Sequence, residues 1–422
     1  MRLDIDGRNC ELESGRSILD AVKKEGLDSI MLSDRPLAAQ IGGEVFNLRF
    51  TPKKDTQIHL LRYGEDMGRR VYERTLQFLL ILAMRKEFPR ARVCVRYSLG
   101  PGLFITVDGM EEPFNEEAAL KVETEMRRLV RLKLPLERRR ISIKEALSFY
   151  EQDGQADKAK LLKWRRFSYF DVYQIDGYMD YFYGEMAPDT SYADVFRVKY
   201  VHEGAVVLLM PRSDAPDVPS DYVDLPKLHA VFHQSDEWGK LMECATVNDL
   251  NTHIQNGTIR ELVRINEALH DRGYADIADK IVQKGAKAVL VAGPSSSGKT
   301  TSAHRISTQL RLQGCHPVML SLDDYYIDRD KIERDENGEI DLENINTLDI
   351  QRFGSDLAAL IRGEKVEVPR FDFTNGKRAP EGRILQLHDD EPVIIEGIHG
   401  LNPMLLSPEV DESKIFRIYV SA

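Results

Sequence analysis

The residues best suited to chemistry stand together at Gly293-Pro294-Ser295-Ser296-Ser297-Gly298-Lys299-Thr300-Thr301. As far as Thr300 they fit the pattern G-x-x-x-x-G-K-[ST]. Glycines let backbone N–H groups come close to phosphate oxygens, and a helix starting here adds partial positive charge for an anion. In such a loop Lys299 reaches the β- and γ-phosphates and the Thr300 hydroxyl holds Mg²⁺. The expected ligands are therefore ATP and magnesium.

The elements needed to carry this loop are legible around it. Ala288 to Ala292 is a short apolar run suited to a buried parallel strand, while Ala303, Ile306 and Leu310 line one helical face that Gly314 stops. A second strand, Pro317 to Leu322, runs into Asp323-Asp324-Tyr325-Tyr326, and a third, Val393 to Ile395, runs into Glu396-Gly397. In an open parallel sheet the carboxyl ends of strands face the ligand crevice. One acidic strand end would more simply be solvated or cap a helix. Two of them after a phosphate loop point to a magnesium site and a general base, with Asp323 meeting the transferred phosphate and an acceptor hydroxyl.

The segments "GPSSSGKTT", "LSLDDYYIDRD", "VEVPRFDFTNGKR" and "VIIEGIHGL" together resemble the uridine kinase, phosphoribulokinase and bacterial pantothenate kinase group, closest to uridine kinase, over about 284–422. The resemblance implies that Asp323 takes the proton from the acceptor hydroxyl and helps organise Mg²⁺, and that Glu396 belongs to the magnesium site. It places Glu343, in "DLENINTLD", where an aspartate binds ribose hydroxyls, and Arg378 at the close of the substrate motif. Phe371 and Gly376 stand where uridine kinases carry a Tyr and a His that read the pyrimidine. A phenyl ring can still stack, but the phenol and imidazole hydrogen bonds are lost. The final "KIFRIYVSA" reads as a fourth strand, and in the resembled group a lid helix with several arginines and a last strand follow. The kinase domain, 284–422, is thus expected to be incomplete at its carboxyl end.

The rest of the 422-residue chain is expected to hold further domains, giving a multidomain α/β protein. Its formal net charge of −11 argues against non-specific coating of nucleic acid. Cys10, Cys94, Cys244 and Cys315 are scattered without C-x-x-C or zinc spacing, which suggests a reducing, cytoplasmic setting. The amino terminus lacks a signal-like apolar core, and the longest apolar run, Leu76 to Met84, is about half the length a membrane crossing needs.

Residues 1–62 alternate strand-like runs with one capped helix, and "LAAQIGGEVFNLRFTPKKDTQIHLL" resembles the TGS domain, a β-grasp, of threonyl-tRNA synthetases and stringent-response enzymes. Residues 63–212, through "YSLGPGLFITVDG" and "VETEMRRLVRLKLPLERRRISIKEAL", resemble the α+β domain that follows TGS in threonyl-tRNA synthetase and edits mischarged tRNA. In that family two His on a helix and a later Cys and His form the editing centre. Arg74, Phe78, Phe182 and Met186 fall at those places, so editing chemistry is expected to be absent. Residues 213–283 read as a Pro/Asp/Ser-rich linker followed by amphipathic helix, with Leu262, Ile265, Leu269, Ile277 and Ile281 on the apolar side.

The run Met126 to Arg140 holds seven Lys or Arg and one Glu. It reads either as a contact with RNA phosphates or as a solvated face. Missing aromatic interleaving favours the second. His229 and His233 are spaced four apart with no third ligand nearby, which favours packing over metal binding. The leading expectation is ATP-dependent phosphoryl transfer to a hydroxyl of a nucleoside. The alternatives are a nucleotide-sensing, tRNA- or RNA-binding regulatory protein, and a kinase acting on a sugar phosphate or pantothenate. No membrane partner is expected, and the oligomeric state is left open.

Overall fold

In the computed structural model, which describes residues 1–332, 334 and 340–421, the chain forms two units, Met1–Asn256 and Gly257 onward. Among the described residues no helix is long and apolar enough to cross a membrane.

The first unit begins with β1 (Arg2–Ile5), β2 (Arg8–Glu11), β3 (Ala38–Ile41), β4 (Glu44–Phe46) and β5 (Thr56–Leu61) in the order β2-β1-β5-β3-β4. The β1–β5 pair is parallel and the others are antiparallel, a β-grasp arrangement. Asp6 and Gly7 join β1 to β2 with positive φ at both positions, the backbone of a two-residue hairpin turn. Helix α1 (Ile18–Lys24) opens on a capping box between Ser17 and Asp20 and buries Ile18, Leu19, Ala21 and Val22. β4 ends at Phe46, although apolar residues continue to alternate at Leu48 and Phe50. Asn47 breaks it: its side chain accepts from Arg49 N–H and donates to the carbonyl of Met186.

Helix α2 (Asp66–Glu87) follows, then β6 (Arg92–Leu99), β7 (Gly102–Asp108), α3 (Glu116–Leu132), β8 (Glu137–Ser142), α4 (Ile143–Gln152), α5 (Ala156–Leu162), β9 (Tyr169–Ile175), β10 (Tyr178–Asp180), β11 (Arg197–His202) and β12 (Ala205–Leu209). They build two antiparallel sheets, β11-β12-β7-β6 and β10-β9-β8. One hydrophobic core runs from the β-grasp residues Leu3 and Ile5 through Leu76 and Phe78 of α2 to Val206 and Leu208 of β12. Where the segment expected as linker begins, β13 (Pro211–Arg212), just before it, and β14 (Ala215–Pro219), within it, pair as a hairpin; α6 (Pro226–Leu241) and α7 (Val247–Asn256) follow.

The second unit comprises α8 (Ile259–Lys284), β15 (Ala288–Ala292), α9 (Lys299–Leu312), β16 (Val318–Ser321), α10 (Ile350–Ile361), β17 (Val366–Val368), β18 (Phe371–Asp372), β19 (Lys377–Arg378), β20 (Arg383–Leu385), β21 (Val393–Glu396) and β22 (Ile415–Tyr419). Its main sheet has the order β16-β21-β15-β22 with every pair parallel. All five residues of β15 are buried, as a strand covered on both faces requires. Ala288 and Leu290 pack with Phe353 and Leu357 of α10, while Val289 and Val291 pack with Ile281 of α8 and Ala303 and Ile306 of α9. This alternation makes a three-layer sandwich. Of the apolar positions expected along α8, Ile277 and Ile281 reach this core but Ile265 is 44% exposed. A 26-residue helix is about 39 Å long, and from its middle onward it meets α9, Asp271 pairing with Arg305 at 2.8 Å and Tyr274 bonding Ser302 at 3.1 Å.

Candidate active site

The phosphate loop follows β15 directly, and its backbone is already bent for an anion. Ser296 and Gly298 have φ of +60° and +87°, and Gly298 caps α9. Gly293 is held by sterics instead: a β-carbon there would collide with the carbonyl oxygen of Val420 and lie 2.8 Å from Ser297 Oγ. Nothing lies within 4 Å of a β-carbon built at Gly298. Gly293→Ala is therefore expected to cost about 1–3 kcal/mol and Gly298→Ala about 1 kcal/mol from backbone strain alone. Thermal denaturation of the two variants checks the order.

Lys299 Nζ donates to the Pro294 carbonyl at 2.8 Å, folding back over its own loop. Thr300 Oγ1 donates to Glu396 Oε2 at 3.2 Å, and Ser321 Oγ donates to Glu396 Oε1 at 3.0 Å. Parallel pairing in register, Ser321 opposite Glu396, sets the second contact. Glu396 thus ties the head of α9 to the ends of β16 and β21. Asp323 sits beside it, in a 3-10 turn over Leu322–Tyr325 rather than on the strand itself, with its N–H donated to Ser321 Oγ at 3.3 Å. Burial and then the charge of Glu396 push the Asp323 carboxyl above the usual aspartate range, with Lys299 opposing. Asp324 is raised as well, mainly by burial.

Tyr326, which sequence reasoning passed over, links this cluster to the substrate motif. Its ring lies 5.6 Å from that of Phe371 and 6.3 Å from that of Phe373, and those two rings meet edge-on at 5.1 Å. Burial, then the charges of Asp323 and Glu343, raise its phenol. Glu343 stands on the other side of the loop, accepting from Ser295 Oγ at 3.4 Å, where it borders a cavity of about 480 Å³ with Gly293, Pro294, Ile398 and Tyr419. Arg378 Nη2 bonds Asp349 at 3.1 Å, and Asp349 caps α10. Gly376 has φ of +64°, and Arg329 lies against the space its missing side chain leaves. An imidazole there would have to displace the Arg329 side chain.

Lys299, Thr300, Asp323 and Glu396 thus converge, Glu343 joins through Ser295, and Phe371 through Tyr326. Arg378 is engaged with Asp349. Ser321, Tyr326, Phe373 and His399, whose ring is pushed toward neutrality by burial near Glu343, escaped sequence reasoning.

In the first unit, Arg74 and Phe78 of α2 meet the segment holding Phe182 and Met186. Phe78 and Met186 are fully buried, the Phe78 and Phe182 rings are 5.3 Å apart, and Arg74 Nε donates to the Glu185 carbonyl. Much of the basic run is engaged internally: Arg127 with Glu123, Arg128 with Glu125, and Arg138 and Arg140 with Asp171. His229 packs against Phe104 and bonds the Tyr97 hydroxyl at 2.7 Å, with His202 and His233 beside it. Among the described residues no group of three or more His, Cys, Asp or Glu is arranged to hold a metal ion.

Residues 288–421 match the family described as Phosphoribulokinase / Uridine kinase. The amino-terminal part has homologues among threonine–tRNA ligases. That of Clostridium kluyveri is 25% identical over 194 residues, 46% of this chain and 30% of the ligase. That of Acetivibrio thermocellus is 29% identical over 160 residues, 37% of this chain and 24% of the ligase. The chain spans less than a third of the length of these relatives. Among solved structures, a possible uridine kinase from Bacillus stearothermophilus is 23% identical, covering 35% of this chain and 79% of that one with a TM-score of 0.28. A D-glycerate 3-kinase from Cryptococcus neoformans var. grubii is 19% identical, covering 30% and 52%, with a TM-score of 0.23. The chain therefore joins an amino-terminal part homologous to threonine–tRNA ligases to a carboxy-terminal P-loop unit that matches the Phosphoribulokinase / Uridine kinase family.

Proposed function

We propose that the second unit transfers the γ-phosphoryl group of ATP to a hydroxyl of a nucleoside. The observation that carries this reading is the convergence of Lys299, Thr300, Glu396 and Asp323 at the carboxyl ends of parallel strands. Thr300, Asp323 and Glu396 would hold Mg²⁺: hydroxyl and carboxylate oxygens suit that hard cation, which takes few protein ligands beside substrate phosphates. When bound, magnesium neutralises charge on the β- and γ-phosphates.

The chain's own groups do the rest. The loop from Gly293 to Thr300, with Thr301 following, cradles the phosphates through its backbone N–H groups, Pro294 having none to give, and Lys299 exchanges the Pro294 carbonyl for a phosphate oxygen. Asp323 orients the acceptor hydroxyl and takes its proton, and its raised affinity for a proton suits that task. Glu343 and Arg378 position the acceptor, Arg378 through the rim it fixes with Asp349. The ring of Phe371, backed by Tyr326 and Phe373, gives an aromatic face for a planar base.

Incubating the full-length protein with labelled ATP and a panel of nucleosides, sugar phosphates and pantothenate tests this. Label is expected on a nucleoside. Label only on a sugar phosphate or pantothenate would move the acceptor assignment. ATP binding without transfer to any of them would favour nucleotide sensing.

A further inference from the structure

Two adjoining cavities in the first unit share Arg138 and Glu185. The smaller, about 310 Å³, is lined by Arg70, Arg74, Arg138, Gly184 and Glu185 among others. Three guanidiniums therefore face one carboxylate. Arg70 is paired with Asp66 at 2.9 Å, and Arg138 with Glu185 and, at 3.0 Å, with Asp171. Arg74 has no such partner. Its Nε donates to the Glu185 carbonyl at 3.0 Å, and no carboxylate of the described residues lies within ion-pair distance of it.

The backbone is shaped around that guanidinium. Gly184 has φ of +107°, and a β-carbon built on it would lie 2.9 Å from Arg74 Cζ and 3.0 and 3.1 Å from its terminal nitrogens. Only glycine lets the group lie there. Burial makes Arg74 costlier to hold as a cation, and the attraction of Tyr173, Glu73 and Glu185 offsets this only in part. A half-buried cation without a counter-ion is costly, and an arriving oxyanion removes that cost. Two free terminal nitrogens on a planar fork match two oxygens of a phosphate.

We propose that this cavity binds a phosphate group, with Arg74 as its principal ligand and Arg70 and Arg138 supplying the surrounding field. The second cavity, about 530 Å³, continues the surface past Arg49 and Arg139 to the Phe46 and Phe50 rings, whose centroids are 4.5 Å apart and whose planes are tilted by 37°. Cations beside an accessible aromatic ring suit a nucleotide. The phosphate is thus that of a nucleotide, free or within a single strand of RNA.

Fluorescence anisotropy of a fluorescein-labelled octa-adenylate RNA, titrated with the full-length protein at low salt, tests the site. Arg74→Gln should weaken binding about tenfold and reduce the dependence of log K on log salt by about 0.7. Arg74→Lys, which keeps the charge but loses the fork, should recover only part of the affinity while restoring the salt dependence. Glu185→Gln, which removes the one carboxylate, should tighten binding severalfold, a change that misfolding cannot imitate. Any contribution from the phosphate loop of the second unit is common to all four proteins. Displacement by AMP at matching affinity identifies a free nucleotide as the ligand, and failure of AMP to displace the strand identifies RNA. Absence of binding to both probes, or equal affinities for wild type, Arg74→Gln and Glu185→Gln, would overturn the proposal.

Discussion

Replacing Asp323 by Asn is expected to lower phosphoryl transfer about a thousandfold, within the range of a lost general base, while leaving the fold as stable as before or more so. The two halves of this expectation share one cause. Asp323 is packed beside Glu396, with Asp324 adjacent, and burial already disfavours its charge. A carboxyl whose affinity for a proton is higher folded than unfolded contributes stability below its unfolded value and loses it as pH rises through the folded one. At pH 8 the ionised Asp323 therefore works against folding, and the neutral amide relieves that repulsion. Turnover assays and thermal denaturation in metal-free buffer, done on the same preparation, check both. A variant that kept normal turnover would remove Asp323 from the mechanism.

Lys299→Ala carries the second large expectation. Lys299 makes one exposed bond, to the Pro294 carbonyl, and a bond of that kind contributes about 1 kcal/mol at most. Stability without ligand should barely change. With ATP at a hundred times its dissociation constant, binding adds about 2.7 kcal/mol to the native state, and this increment should vanish in the variant along with transfer. Differential scanning fluorimetry with and without ATP reads the difference directly. An ATP-induced shift equal to that of wild type would show that Lys299 does not meet the phosphates.

The phosphate loop was legible because everything it needs is local: a buried strand, a bend and a helix occur within 25 consecutive residues, 288–312. Asp323 and Glu396 were legible as acidic residues after apolar runs. Ser321 and Tyr326 were not, because their importance arises from partners 75 and 45 positions away, Glu396 and Phe371. Asn47 ended a strand that alternation alone would continue, through bonds to Met186 and Arg49. The Arg74 site was visible only as a departure from two histidines. Its cavity depends on Gly184 and Arg138, which no helical spacing connects to it. Local chemistry could be read from the sequence, whereas sites assembled across elements needed the fold.

Phosphorus NMR of the full-length protein incubated with ATP, Mg²⁺ and a mixture of nucleosides reads phosphoryl transfer to an acceptor hydroxyl most directly. A new phosphomonoester resonance is expected that grows one for one with ADP and is absent with Asp323→Asn. ADP accompanied only by inorganic phosphate, or ATP that binds and is never consumed, would contradict it.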